Sequence, residues 1–207
     1  PQSKLFQHLD VLHSIKTGSR PAPVNVEIDL SNRCSLGCSW CHFAYTHTRG
    51  PLAGKVVGPE GAVSGGDLMD TKLALAILQQ LKGNDVKSVT WTGGGEPTLH
   101  PDFNGIAGMA YTYGLEQGIY THGGHIDEKR AAIIKRLFTW AFISLDECTP
   151  EAYQRSKGVD RFGKAVEGIR NLVAAEGKAT IGVGFLIHEG NWRDIHAMIR
   201  LGHELGV

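Results

Sequence analysis

Proline and cysteine are scarce in this 207-residue sequence, at 8 and 4 residues, and aromatic residues make up only 8%. Net charge is missing as well, because 21 basic side chains balance 21 acidic ones. No apolar run approaches the roughly 20 residues that a membrane helix needs. No N-terminal stretch has the basic, apolar and small-residue order of a signal peptide, and the first residue is Pro1, which reads as a trimmed start. No dense Lys/Arg stripe could neutralise a run of phosphates, so neither nucleic acid nor membrane is an expected partner. Four cysteines are too few and too unevenly spread for a secreted disulfide scaffold, which points to a reducing cytoplasm. The hydrophobic content, 42%, is too high for a disordered chain of zero net charge. A globular domain remains, long enough to bury about 70% of its unfolded surface without disulfides.

Glycine breaks the pattern of scarcity. There are 27 glycines, about twice the ~7% of an average protein. They concentrate at Gly93–Gly95, at Gly123 and Gly124, and between Gly50 and Gly66. Three of the four cysteines, Cys34, Cys38 and Cys41, crowd into "NRCSLGCSWCHF", with Cys148 far away. Thiols this close on one loop suit a single metal centre. They could hold zinc with His42 or a distant residue as fourth ligand, or an iron–sulfur cluster with one open iron.

The periodicity predicts an N-terminal helix over 4–16, stopped by Gly18, Pro21 and Pro23. "VNVEIDL" (24–30) alternates as a strand, and the cysteine loop follows it. Residues 46–67 form a Gly- and Pro-rich insertion. A helix is expected near 70–82, then a strand "VKSVTWTG", a helix near 102–113, a strand "QGIYTH", and a helix near 127–137. "AFISLDE" reads as a strand, 150–175 as a helical region, "TIGVGFLIH" as a strand, and 191–205 as a last helix. Five strand–helix alternations require parallel pairing through right-handed crossovers. Ligands of parallel α/β folds sit at the carboxyl ends of the strands. Those ends carry the cysteine triplet, "TGGGEPTLH", "THGGH", "SLDEC" and "HEGN". Gly93–Gly95 is neither a dinucleotide fingerprint nor a phosphate loop. Three glycines at a strand end imply unusual backbone angles or close approach to a neighbour.

"CSLGCSWC" after the first strand and "GGGEP" after the second resemble the radical S-adenosylmethionine (SAM) superfamily, whose signature is CxxxCxΦC, with Trp40 at Φ. "YTHGG" and "ISLDECTPEAYQRSKG" extend the resemblance, which covers about residues 24–200. It implies an α/β fold, a partial (β/α)6 TIM-like barrel of parallel strands, apparently truncated after the fifth strand–helix unit. Residues 1–23 would be an N-terminal helix and linker, and 24–207 the core domain. The missing sixth unit would leave the edge of the fifth strand to be covered by something else.

The resemblance also implies the chemistry. Cys34, Cys38 and Cys41 would ligate a [4Fe–4S] cluster whose open iron chelates the methionine part of SAM. Reductive cleavage would then give a 5′-deoxyadenosyl radical that abstracts a hydrogen atom from a peptide, sugar or nucleotide. The electron would come from a flavodoxin- or ferredoxin-type donor. Trp40 would lie against adenine or pack as core. Gly94 and Gly95 would let the backbone reach the SAM amino group, with Glu96 supplying charge there or capping the next helix at the surface. Ser144 matches a ribose or carboxylate contact. Lys157 stands where many relatives carry Arg for the SAM carboxylate, and otherwise would be solvated. Ile187 would pack on adenine or in the core. Asp146 and Asn191 read as helix caps, and His122 stands where relatives have Asn. The 46–67 insertion is either a lid or a surface loop, and Cys148 either a hydrogen donor or an inert buried thiol. The alternative to an enzyme is a non-catalytic zinc or electron-transfer protein built on the three cysteines and His42.

Overall fold

In the computed structural model, which describes residues 6–41, 43 and 67–207, every predicted strand is present. They are β1 (Asn25–Asp29), β2 (Ser88–Thr92), β3 (Glu116–Thr121), β4 (Trp140–Ser144) and β5 (Thr180–Gly184). All neighbours pair in parallel, in the order β1-β2-β3-β4-β5. A doubly wound sheet reverses its strand order at a switch point. A sheet that runs straight through its chain order is the wall of a β/α barrel.

Helices, all but the first of which bury residues in the core, cover one side of this wall. They are α1 (Leu9–Lys16), α2 (Thr71–Gly83), α3 (Phe103–Thr112), α4 (Glu128–Leu137), α5 (Pro150–Lys157), α6 (Phe162–Ala174) and α7 (Ile195–Leu205). Alternation along each strand sends Ile28, Val89, Trp91, Ile119, Ala141 and Ile143 to the helix side, where all are buried. Each large apolar side chain buried there contributes about 1.5–3 kcal/mol. The one polar pair in this layer is satisfied: Trp91 Nε1 donates to Gln117 Oε1 at 2.8 Å, and Gln117 Nε2 donates to the Ala107 carbonyl at 3.0 Å. Asp70, Asp127 and Thr149 cap α2, α4 and α5 by accepting from backbone N–H groups of their first turns.

Three expectations need correction. The N-terminal helix runs from Leu9, and its apolar residues Leu9, Leu12 and Ile15 are exposed. The 150–175 region is two helices, broken where Gly158 adopts φ 78°. The last helix starts at Ile195, after a 3-10 turn over Trp192–Asp194. Of the 46–67 insertion only Asp67 lies within the described residues, so the lid reading falls outside them. The chain re-enters at Leu68, bridged antiparallel to Ser31 just before the cysteine loop. No described helix is long and apolar enough to cross a membrane.

Candidate active site

The loop after β1 is anchored from three sides. The amide of Glu96 donates to the Arg33 carbonyl at 2.7 Å, which ties the loop to the Gly93–Glu96 turn. The last carbonyls of α5 accept from it: Gly37 N donates to Lys157 O at 2.7 Å and Ser39 N to Ser156 O at 2.9 Å. Helix carbonyls at a C-terminus lack intrahelical partners, so the break at Gly158 frees them for this use. The third anchor is Ser35, fully buried, with Oγ 3.1 Å from His122 Nε2 and 2.8 Å from His125 Nε2.

These anchors gather Cys34, Cys38, Trp40 and Cys41 around a cavity of about 250 Å³. Gly95, Glu96, Ser144 and Lys157 line the same cavity, as do Tyr120, His122 and Asp146. Trp40 is half-buried at its rim, with its ring centroid 5.0 Å from that of His188. Of the residues singled out in sequence, Gly94 and Ile187 are not in this lining. Ile187 is 60% exposed and faces an apolar groove between β5 and α7, so it is neither core nor beside the cysteines.

Glu96 is buried, not a surface cap. Its Oε1 accepts from Thr98 N, Thr98 Oγ1 and Thr121 Oγ1 at 3.1, 2.6 and 2.7 Å, and its Oε2 accepts from His122 N at 2.9 Å. It caps the short turn Pro97–Leu99 and staples the end of β2 to the end of β3. Burial works against its charge, but His122 and these donors outweigh burial and hold its carboxyl below the usual range. His122 accepts from Gly124 N at Nδ1, at 3.0 Å, which leaves Nε2 as the protonated nitrogen. Burial lowers its pKa and the Glu96 carboxylate works the other way; its Nε2 lies 3.1 Å from Ser35 Oγ and 3.5 Å from Glu96 Oε2. His125 is likewise pushed down to about 4, by burial first and His122 second.

Lys157 is buried, contrary to a solvated side chain. Its Nζ pairs with Asp146 Oδ2 and donates to the Ser144 carbonyl at 3.3 Å. It also lies 5.2 Å from the centroid of the Trp40 ring. Asp146 is therefore no helix cap, the role Thr149 takes. Its second oxygen accepts from Leu186 N at 2.8 Å, and its backbone sits at φ 65°, a left-handed angle rare for a non-glycine residue. Asn191 also differs from expectation. Its amide donates to Asp146 O and Leu186 O, at 3.1 and 2.9 Å, and locks the loops after β4 and β5 together. Cys148 is half-exposed outside the cavity lining, 3.7 Å from the Asp194 carbonyl.

The donor set fits a sulfur-ligated centre. Burial, and then the Glu96 carboxylate, push the Cys34 thiol up to about 12, and burial also raises Cys38. Thiolates here need added positive charge, and a cluster of iron ions supplies it. The buried Tyr153 hydroxyl has no hydrogen-bond partner among the described residues, and burial first and the neighbouring Cys38 second push its pKa up. Among the described residues no three metal-binding side chains are placed to hold a single ion, and His42 lies outside them. Ser35, Tyr120, His125 and His188 went unassigned in sequence. The "THGGH" and "HEGN" strand ends flagged the two histidines, but nothing marked Ser35 or Tyr120.

The comparisons follow this geometry. A model of the Radical SAM superfamily matches residues 28–202. A probable GTP 3′,8-cyclase from Saccharolobus islandicus (strain L.S.2.15 / Lassen #1) is 24% identical over 184 residues, 88% of this chain and 54% of that protein. One from Thermococcus kodakarensis is 27% identical over 149 residues, 72% and 43% of the two chains. The chain thus spans about half the length of the curated relatives it matches. The crystal structure of Streptococcus suis SuiB bound to S-adenosylmethionine superimposes with TM-score 0.69 at 20% identity, over 95% of this chain and 42% of that one. Native anSMEcpe with bound AdoMet gives 0.67 at 17% identity, over 88% and 49%. Both share the fold. The match over most of the sequence settles the family: the chain belongs to the radical SAM superfamily.

Proposed function

We propose that this chain binds a [4Fe–4S] cluster through Cys34, Cys38 and Cys41, binds SAM beside it, and turns the pair to hydrogen-atom abstraction from a substrate. The observation that carries the reading is the convergence of the three cysteines, Trp40, Glu96, Ser144 and Lys157 on one cavity in a radical SAM chain. When bound, the cluster supplies the electron that cleaves SAM to methionine and a 5′-deoxyadenosyl radical. A flavodoxin- or ferredoxin-type protein is the electron source, and a reducing cytoplasm suits three unpaired thiols.

The chain's own residues bind and orient. Lys157 presents a buried positive charge to the SAM carboxylate, with Asp146 fixing its direction. Trp40 offers a ring at the rim for the adenine. Glu96 holds the Gly93–Gly95 backbone against the cysteine loop, so that the turn facing the amino group is rigid. Ser144 offers a hydroxyl to the ribose.

The test is anaerobic reconstitution with iron and sulfide, then dithionite and SAM. 5′-Deoxyadenosine and methionine should form, and Cys38→Ala should lose both the brown cluster absorbance and the products. Colourless, zinc-loaded protein that leaves SAM intact would return the reading to a non-catalytic metal protein. The archaeal relatives are probable GTP 3′,8-cyclases, and SuiB has been crystallised bound to a precursor peptide. Nucleotide and peptide are therefore the two substrate classes to separate.

A further inference from the structure

The side of the sheet away from the helices carries a pattern that none of this explains. Strand alternation and register place Glu27 opposite Thr90, Thr90 opposite Gly118, and Gly118 opposite Trp140 on this side. One step toward the cavity come Asp29, Thr92, Tyr120 and Phe142. Tyr120 lines the cysteine cavity itself. Its ring meets Trp140 edge-on at 5.0 Å and Phe142 at 5.3 Å between centroids. Trp140 and Phe142 lie over the sheet because two glycines make room, and the Tyr120 ring stands edge-on to both. A Cβ on Gly118 would sit 2.1 Å from the Trp140 ring, and one on Gly184 2.4 Å from Phe142. Tyr120 and Phe142 remain 43% and 37% exposed.

The charges are one-sided. Along the five strands this side carries the carboxylates Glu27, Asp29 and Glu116, and no Lys or Arg among the described residues. Glu27 is exposed, and Asp29 gives one oxygen to Gly94 N at 3.2 Å. A triphosphate laid along these strands would meet their carboxylates and no cation on the strands themselves. The rings sit on β3 and β4 and the β1 carboxylates lie two to three strands away, about 10–14 Å at the usual strand spacing. A ring and a positive charge that far apart belong to two side chains of one peptide.

Resting on the radical SAM reading above, we infer that the open wall beneath the cavity is the seat of a peptide substrate with an aromatic and a basic side chain. The aromatic side chain packs on Tyr120, Trp140 and Phe142. The basic side chain faces Glu27 and Asp29. Tyr120, common to this platform and the cofactor cavity, puts the ring-bearing residue next to the radical.

The experiment uses the reconstituted chain with SAM present and isothermal titration calorimetry. The probes are acetyl-Phe-Gly-Lys-amide, acetyl-Phe-Gly-Glu-amide and GTP. The lysine peptide should bind at least about fivefold tighter than the glutamate peptide, in line with one or two half-exposed charge pairs. Glu27→Gln should narrow that gap. Tyr120→Leu or Phe142→Leu, which keep apolar bulk, should weaken both peptides at least about threefold. GTP should give no heat. Binding of GTP, equal affinity for the two peptides, no binding of any probe, or indifference to the ring variants would overturn the inference. 5′-Deoxyadenosine formation is read on the same preparations. If it persists while the charge preference is absent, the inference fails and the radical SAM reading stands.

Discussion

A Cβ built on Gly95 would lie 2.2 Å from the carbonyl oxygen of Arg33, the residue before Cys34, the first of the three cysteines proposed to hold the cluster. The glycine at this position therefore serves the cysteine loop at least as much as the cofactor. Only main chain meets main chain there, and the Glu96–Arg33 hydrogen bond is the result.

Gly95→Ala should accordingly damage the cluster site. Overpacking of backbone on backbone costs about 1–3 kcal/mol, and the loop that must yield carries the ligands. Iron retained per chain after reconstitution should fall, and SAM affinity with it. Gly94→Ala is the control. Its Cβ would meet the Asn32 side-chain oxygen at 2.6 Å, a group that can rotate away, so iron content should hold. Full iron in Gly95→Ala with only SAM binding weakened would show that the glycine serves cofactor approach alone.

The Lys157–Asp146 pair makes a second prediction. Both side chains are almost fully buried. Removing one partner strands a buried charge, at a cost of about 3–5 kcal/mol. Lys157→Met and Asp146→Asn should each lower unfolding free energy by that order in urea titrations. The double variant should recover much of it, because no orphaned charge remains. SAM affinity should not recover in the double variant, since the cation that faces the carboxylate is gone. Recovery of both would reduce the pair to a structural role.

The reach of the sequence can be judged from these residues. That Cys34, Cys38 and Cys41 line one cavity was legible because they stand close together on one loop. The five parallel strands were legible because apolar alternation is local. Lys157 was noticed, but its partner Asp146 was read as a cap, because an ion pair across a helix end depends on the turn at Gly158. Ser35 was invisible for the same reason: its two histidines are 87 and 90 residues away. Ile187 is not core because, three residues past the end of β5, its side chain follows the loop and not the alternation of the strand. The Gly118–Trp140 fit needs the register of β3 on β4, which no single segment contains.

Ser35→Ala tests the buried anchor of the cysteine loop. The hydroxyl accepts from His122 Nε2–H and donates to His125 Nε2, so its loss leaves the buried His122 N–H without that acceptor, while Arg161 Nη1 still reaches His125 Nε2 at 3.4 Å. Leaving a buried polar group unsatisfied costs about 1–3 kcal/mol, and the unfolding midpoint should drop accordingly. Ser35→Thr keeps the hydroxyl and should restore part of the loss. An unchanged midpoint in Ser35→Ala would mean that the helix and glycine anchors suffice alone.

His125 predicts the acid limb of stability. Its pKa is about 4 in the folded chain, against an ordinary 6.5. Between those values the unfolded chain takes up a proton that the folded chain refuses, so this residue makes stability fall as pH drops from about 6.5 toward 4. Above 6.5 both states are neutral and the contribution is flat. Protonation would also turn Nε2 from acceptor to donor, reversing the Ser35 bond and setting two donors against each other at Arg161 Nη1, 3.4 Å away. Urea titrations of the unreconstituted chain at pH 7.5, 5.5 and 4.5 should show His125→Gln less stable at pH 7.5, with the gap narrowing at each acid step. A gap that stays constant across the three values would mean that His125 titrates normally in the fold.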